Sequence, residues 1–195
     1  MKKFIAIISI LCLTFMACSK IETDTPAFDQ EKIQYDNTFT VNGETVNVIY
    51  FSVYSEDDVV FIEGAACSEP DVTDMGKNDQ GDYVERTKFY GGTFTIKIPV
   101  CEIGKLTSSG EAEFTYGHYV RMEYYNPAGR YTETEPERKE IESSMCRSAK
   151  YLFDEVSPAK LNGQVPAVYK LYVEYEDVAG NKYRLAYMGK EIEED

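Results

Sequence analysis

Tryptophan is absent from the 195 residues, and histidine occurs once, as His118. Every mechanism that needs an imidazole base must therefore run through that residue. The five cysteines contain no Cys-x-x-Cys pair, so no zinc-site spacing is present. No glycine-rich loop runs into a lysine, which removes the usual phosphate cradle. Apolar runs are short; the longest, Phe4 to Ala17, falls below the ~20 residues of a membrane-spanning helix. Basic residues are outnumbered 20 to 34, and the resulting charge of -14 repels nucleic acid and anionic membrane surfaces.

What is present begins with an address. Lys2 and Lys3 precede the Phe4 to Ala17 run, the arrangement of a secretory leader. Phe15-Met16-Ala17-Cys18 then resembles a relaxed lipobox, and the N-terminus is similar to that of Bacteroides-type bacterial lipoproteins. The resemblance covers only the first twenty or so residues. It implies cleavage after residue 17 and lipidation of Cys18, hence attachment to the outer membrane through a covalent lipid. Removing Lys2 and Lys3 with the leader takes the charge from -14 to -16. Residues 18–36 are polar, contain Pro26 and lack a clean period, as a flexible tether would. Glu22 and Asp24 soon after the cysteine are similar to the surface-export signal of such lipoproteins. Surface display is the expectation, with a periplasm-facing location as the alternative.

From Thr38 onward the dominant period is two, as in half-buried strands. Asn42-Gly43 supplies a type I′ hairpin turn, with Phe39 opposite Val46 and Thr40 opposite Thr45. Strands follow over Val59 to Ala66, Thr93 to Pro99 and Glu111 to Tyr125. Closing a loop over Asp177 to Asn181 pairs Glu176 with Lys182, Glu174 with Arg184, Tyr175 with Tyr183 and Val173 with Leu185. Opposite charges then meet on one face and apolar groups on the other.

Thr134-Glu135-Pro136-Glu137 resembles a capping box, and Ile141, Met145, Ser148 and Leu152 recur at three or four residues. A short helix inserted over Glu137 to Phe153 is expected, with a long polar loop as the alternative. The fold class is mainly β: an antiparallel β-sandwich, immunoglobulin- or fibronectin-like, with that helical insertion. A small open β-barrel is the second choice. One domain spans 37–190, followed by a fraying acidic tail over 191–195.

Cys67 and Cys101 each follow a strand. If a further strand runs over Tyr83 to Tyr90, both lie at one end of the sandwich and could form a disulfide, leaving Cys146 free. Asp71, Asp74, Asn78, Asp79 and Asp82 crowd the most loop-like stretch and are weak calcium candidates without the EF-hand pattern; otherwise no metal or cofactor is expected. His118 falls on the apolar parity of its strand, as a core-edge imidazole with one hydrogen bond would. Carboxylate pairs such as Glu111/Glu113 or Glu133/Glu135 keep a hydrolase as a remote option.

Tyrosine is abundant, with 16 copies. Tyr119, Tyr124, Tyr125 and Tyr131 gather near the Asn126 to Gly129 turn as a candidate binding edge, since tyrosine joins an apolar face to a polar tip. The expected function is a lipid-anchored, non-enzymatic binding module for a protein or glycan ligand, in adhesion or as accessory to a surface assembly. A periplasm-facing structural or inhibitory lipoprotein is the alternative.

Overall fold

A computed structural model describes residues 32–138, 140–160 and 165–193, with side chains at 73 and 74 excepted. The leader, Cys18, most of the tether and the last two residues lie outside the described residues. The body, Ile33–Asp195, is built from strands β1 (Thr38–Val41), β2 (Glu44–Glu56), β3 (Val59–Cys67), β4 (Asp71–Lys77), β5 (Tyr83–Pro99) and β6 (Glu111–Asn126). It continues with β7 (Gly129–Pro136), β8 (Ile141–Glu142), β9 (Cys146–Ser157), β10 (Val168–Asp177) and β11 (Lys182–Gly189). The fold is mainly β and wholly antiparallel.

Two hairpins form as their sequences dictate. Asn42 and Gly43 take φ of 51° and 93°, and the turn sets Phe39 against Val46 and Thr40 against Thr45. Glu176, Tyr175, Glu174 and Val173 meet Lys182, Tyr183, Arg184 and Leu185.

The sheet runs β7-β6-β5-β3-β2-β1-β11-β10-β9, with β4 added to β5 and β8 to β6. It is one open sheet, in which β3 lies beside β5 and β1 beside β11 out of chain order, that curls until its two halves pack as a sandwich-like pair of layers. Phe114 of β6 stacks on Tyr183 of β11 at 4.8 Å and meets Tyr175 of β10 edge-on at 5.3 Å. Those strands are far apart along the sheet, so these contacts cross the core. Ile62, Phe94, Ile96, Leu171 and Leu185 complete the interior. The connection from β5 to β6 reaches the β9 edge, where Thr107 and Tyr151 exchange backbone hydrogen bonds, and no ladder joins β7 to β9 to close a barrel.

The expected helix over Glu137 to Phe153 is not formed: β8 and β9 occupy that stretch. Met145, a core position on the helical reading, is 79% exposed, whereas Tyr151, Leu152 and Phe153 are buried in succession. Consecutive burial on both faces is a strand covered on two sides, and the competing period of Ala149, Tyr151 and Phe153 was the one that governed. Thr134 and Pro136 are likewise the end of β7 and not a helix cap.

Two boundaries also shift. Half of the expected Asp71 to Asp82 loop is β4, paired with the first residues of β5. The acidic tail is held at least to Ile192, whose N–H and C=O both bond Phe51 (2.9 and 3.2 Å).

Burial, helped by Glu44 for Tyr116 and by Asp177 for Tyr183, drives the phenol pKa values of Tyr116, Tyr151 and Tyr183 far above 10. An unfolded chain ionises these groups near pH 10, before the folded chain can. The stability they lend is therefore intact below pH 10 and declines as pH rises above it. An absorbance titration should give an early and a late phenolate phase, with the late phase coinciding with unfolding; one phase at about pH 10 in a still-folded chain would contradict this packing.

Candidate functional site

β5 and β6 outrun the core. Their outer halves, with β4 and β7 alongside, make a four-stranded arm in the order β4-β5-β6-β7. The strand passes Gly91-Gly92 without stopping because the sheet closes tightly there: a Cβ on Gly92 would lie 2.4 Å from the Thr115 carbonyl oxygen and 2.8 Å from the Phe39 ring. Glycine in a strand interior marks such an approach. Val72, Met75, Tyr83, Tyr90, Tyr125 and Tyr131 are all exposed on it.

The four tyrosines of the candidate edge divide between the two faces. On the face continuous with the core, Tyr124 and Tyr131 stack at 4.5 Å with an 8° interplanar angle, and the Tyr124 hydroxyl donates to Glu133 (3.2 Å). On the opposite face Tyr125 lies across from Tyr83, with the Arg130 guanidinium 5.4 Å above its ring. Its hydroxyl donates to Glu123 (2.7 Å), which also pairs with Arg130. Tyr119 shares that second face nearer the root and stacks on Phe89 at 5.3 Å, with Arg121 5.5 Å over the Phe89 ring. A groove of about 260 Å³ opens beside this stack, lined in part by Ile49, Cys67, Gly91 and Thr115.

The electrostatics follow these contacts. The Tyr125 hydrogen bond, aided by Arg130 and opposed by burial, holds the Glu123 carboxyl below its usual range. Burial and then the Asp82 and Glu133 charges push the Tyr131 phenol up. For Tyr119, burial and a bond to Glu140 raise it to about 12. The arm thus offers neutral, amphipathic rings beside carboxylates, chemistry suited to holding polar or cationic groups.

Other sequence candidates are not assembled. Cys67, Cys101 and Cys146 are free, so the possible Cys67–Cys101 bridge is not formed. β5 is one uninterrupted strand, so Cys67 lies across from Gly91 at one end of β3 while Pro99, just before Cys101, lies across from Val59 at the other. Eight residues of strand separate the two ends by roughly 26 Å, whereas a disulfide needs Cα atoms within about 7 Å. Asp71 faces Lys88 across the ladder, and Asp82 is tied to Asn78 by its N–H (2.9 Å) and its carboxylate (3.3 Å). Asp79 is exposed beyond β4, and the Asp74 side chain is outside the described residues. Among the described residues no group of three or more His, Cys, Asp or Glu could hold a metal ion.

His118 sits at the arm's root as a core-edge imidazole. Its Nε2 lies 2.9 Å from Glu44, which also accepts from the Tyr116 hydroxyl (3.0 Å), while Nδ1 is buried without a partner among the described residues. One nitrogen is engaged and the other enclosed, the geometry of a latch between β2 and β6.

Sequence reasoning missed Tyr83, Phe89 and Tyr90 because it divided β5 at its glycines; alternation on both sides of Gly91-Gly92 was the usable sign. Comparison with protein-family models, curated proteins and solved structures gives no match to this chain.

Proposed function

We propose that the chain is a lipid-anchored cell-envelope binding module that presents its β4–β7 arm to a protein or glycan ligand, in adhesion or as accessory to a surface assembly. The anchor rests on the likeness of residues 15–18 to a lipobox, and the orientation toward the cell surface on Glu22 and Asp24. One observation carries the binding role: the arm exposes Tyr83 and Tyr125 on one face and Tyr90 and Tyr131 on the other. A sheet normally buries at least one face, and apolar exposure concentrated on one projecting element marks a contact surface.

The test uses full-length protein expressed in cells. Cys18→Ser should leave the membrane fraction, and Tyr125→Ala with Tyr131→Ala should lower ligand capture by intact cells at least fivefold while the Tm moves by less than about 3 °C. Capture unchanged by the tyrosine pair, or lost only in proportion to stability, would sink the assignment.

A further inference from the structure

Four described strands pair on one side only, β4, β7, β8 and β9; β8 is two residues long, and two of the others are blunted. β9 is covered by the segment after β5, where Gly104 donates to the Phe153 carbonyl (2.8 Å) and Thr107 exchanges bonds with Tyr151. β4 is broken by a register shift between Val72 and Asp74, and bulges deter further pairing. β7 has neither protection. It pairs with β6 without a register shift over eight residues, is exposed along its whole length, and has no described strand on its other side. A straight uncovered edge is a template for strand addition.

Its side chains select the occupant. On the Tyr131 side of the strand follow Glu133 and Glu135, and Glu135 has no ion-pair partner among the described residues. A second copy of β7 is disfavoured: pairing about Glu133 sets that carboxylate against its mate, and pairing about Thr134 sets it against Glu135. Directly opposed like charges destabilise a ladder. A basic strand instead gains at both glutamates and can lay a cation over the Tyr131 ring, which is 43% exposed. The overall charge of -14 draws the same partner from a distance.

We propose that β7 is a docking edge for an extended basic segment of a partner protein, added as a further strand with alternate Lys or Arg side chains on the side of Tyr131, Glu133 and Glu135. The inference rests on the arm being the recognition surface and names its partner class.

Fluorescence anisotropy with a labelled octapeptide of alternating lysine and threonine tests it, against a peptide of alternating glutamate and threonine. The basic peptide should bind saturably, more weakly as salt rises, and about tenfold more weakly to Glu133→Gln/Glu135→Gln, since both cross-strand charge pairs are lost. Glu133→Lys/Glu135→Lys should transfer the preference to the acidic peptide, a gain that misfolding cannot imitate. Hydrogen exchange should show new protection at the amides of 130–135. Absence of saturable binding, indifference to both double variants, or protection elsewhere would overturn the basic-strand proposal. If the tyrosine pair still governs capture on cells, that failure removes the partner class and leaves the arm's binding role standing.

Discussion

Phe39→Ala should lower the unfolding free energy by about 4 kcal/mol, the upper part of the range for large-to-small core changes, and the Tm by about 10 °C for a chain of this size. Phe39 is fully buried on β1, the strand that joins the two halves of the curled sheet. Its ring stacks on Phe114 at 5.6 Å and meets Phe94 and Tyr116 at 6.0 and 6.4 Å. Those partners come from β5 and β6 on the opposite layer, so one truncation opens the core between layers. The void would lie directly beneath Gly92, whose missing Cβ already brings the Phe39 ring close, at the place where the arm leaves the body. Phe39→Leu, which keeps most of the volume, should cost only about half as much. Urea denaturation checks both. A loss under about 1 kcal/mol for alanine would mean the layers do not close on this residue.

The same residues show why parts of the fold were legible in sequence. Hairpins are local: Asn42-Gly43 and the charge pairs around the Asp177 to Asn181 turn determine register with information a few residues apart. The mainly antiparallel β class followed from period two. The arm was not legible, because strands with aromatic groups exposed on both faces read in sequence like any half-buried strand. Gly91-Gly92 looked like a break because a close approach of Thr115 and Phe39 is a tertiary cause. The failed helix had a similar origin. Ile141, Met145, Ser148 and Leu152 fit a helical stripe by spacing, but β10 supplied a partner to which Ala149, Tyr151 and Phe153 could be paired. Pairing across about twenty residues outweighed local periodicity. Of the tyrosine edge, the cluster in sequence proved to be a cluster on one element, but strand alternation sent Tyr124 and Tyr131 to one face and Tyr119 and Tyr125 to the other.

Asp177→Ala should cost about 3 kcal/mol, and Asp177→Asn somewhat less, with a difference between them that depends on pH. Asp177 is 0% exposed at the end of β10. Its carboxylate accepts from the Asn181 N–H (2.8 Å) and side-chain amide (3.0 Å), the Ser144 N–H (3.3 Å) and the Tyr183 hydroxyl (3.4 Å). Beside it the Val178 N–H donates to the Met145 carbonyl (2.9 Å), so one buried carboxylate joins the β10–β11 turn to the segment before β9. Removing it leaves buried donors unpaired, the expensive way to lose hydrogen bonds. Burial alone would raise the Asp177 pKa, but the Asn181, Ser144 and Ala179 donors outweigh it and hold the carboxyl below its ordinary value. Because the folded pKa is the lower one, the unfolded chain takes up the proton first as pH falls. The carboxylate's contribution is therefore complete above about pH 4 and is lost progressively as pH drops below that toward the folded pKa. Asparagine cannot titrate, so the Asp177→Asn chain should show a shallower loss of stability in this acid range and approach wild type at its lower end. Parallel acid profiles for the two chains would mean that this carboxyl is not the anchor of the turn.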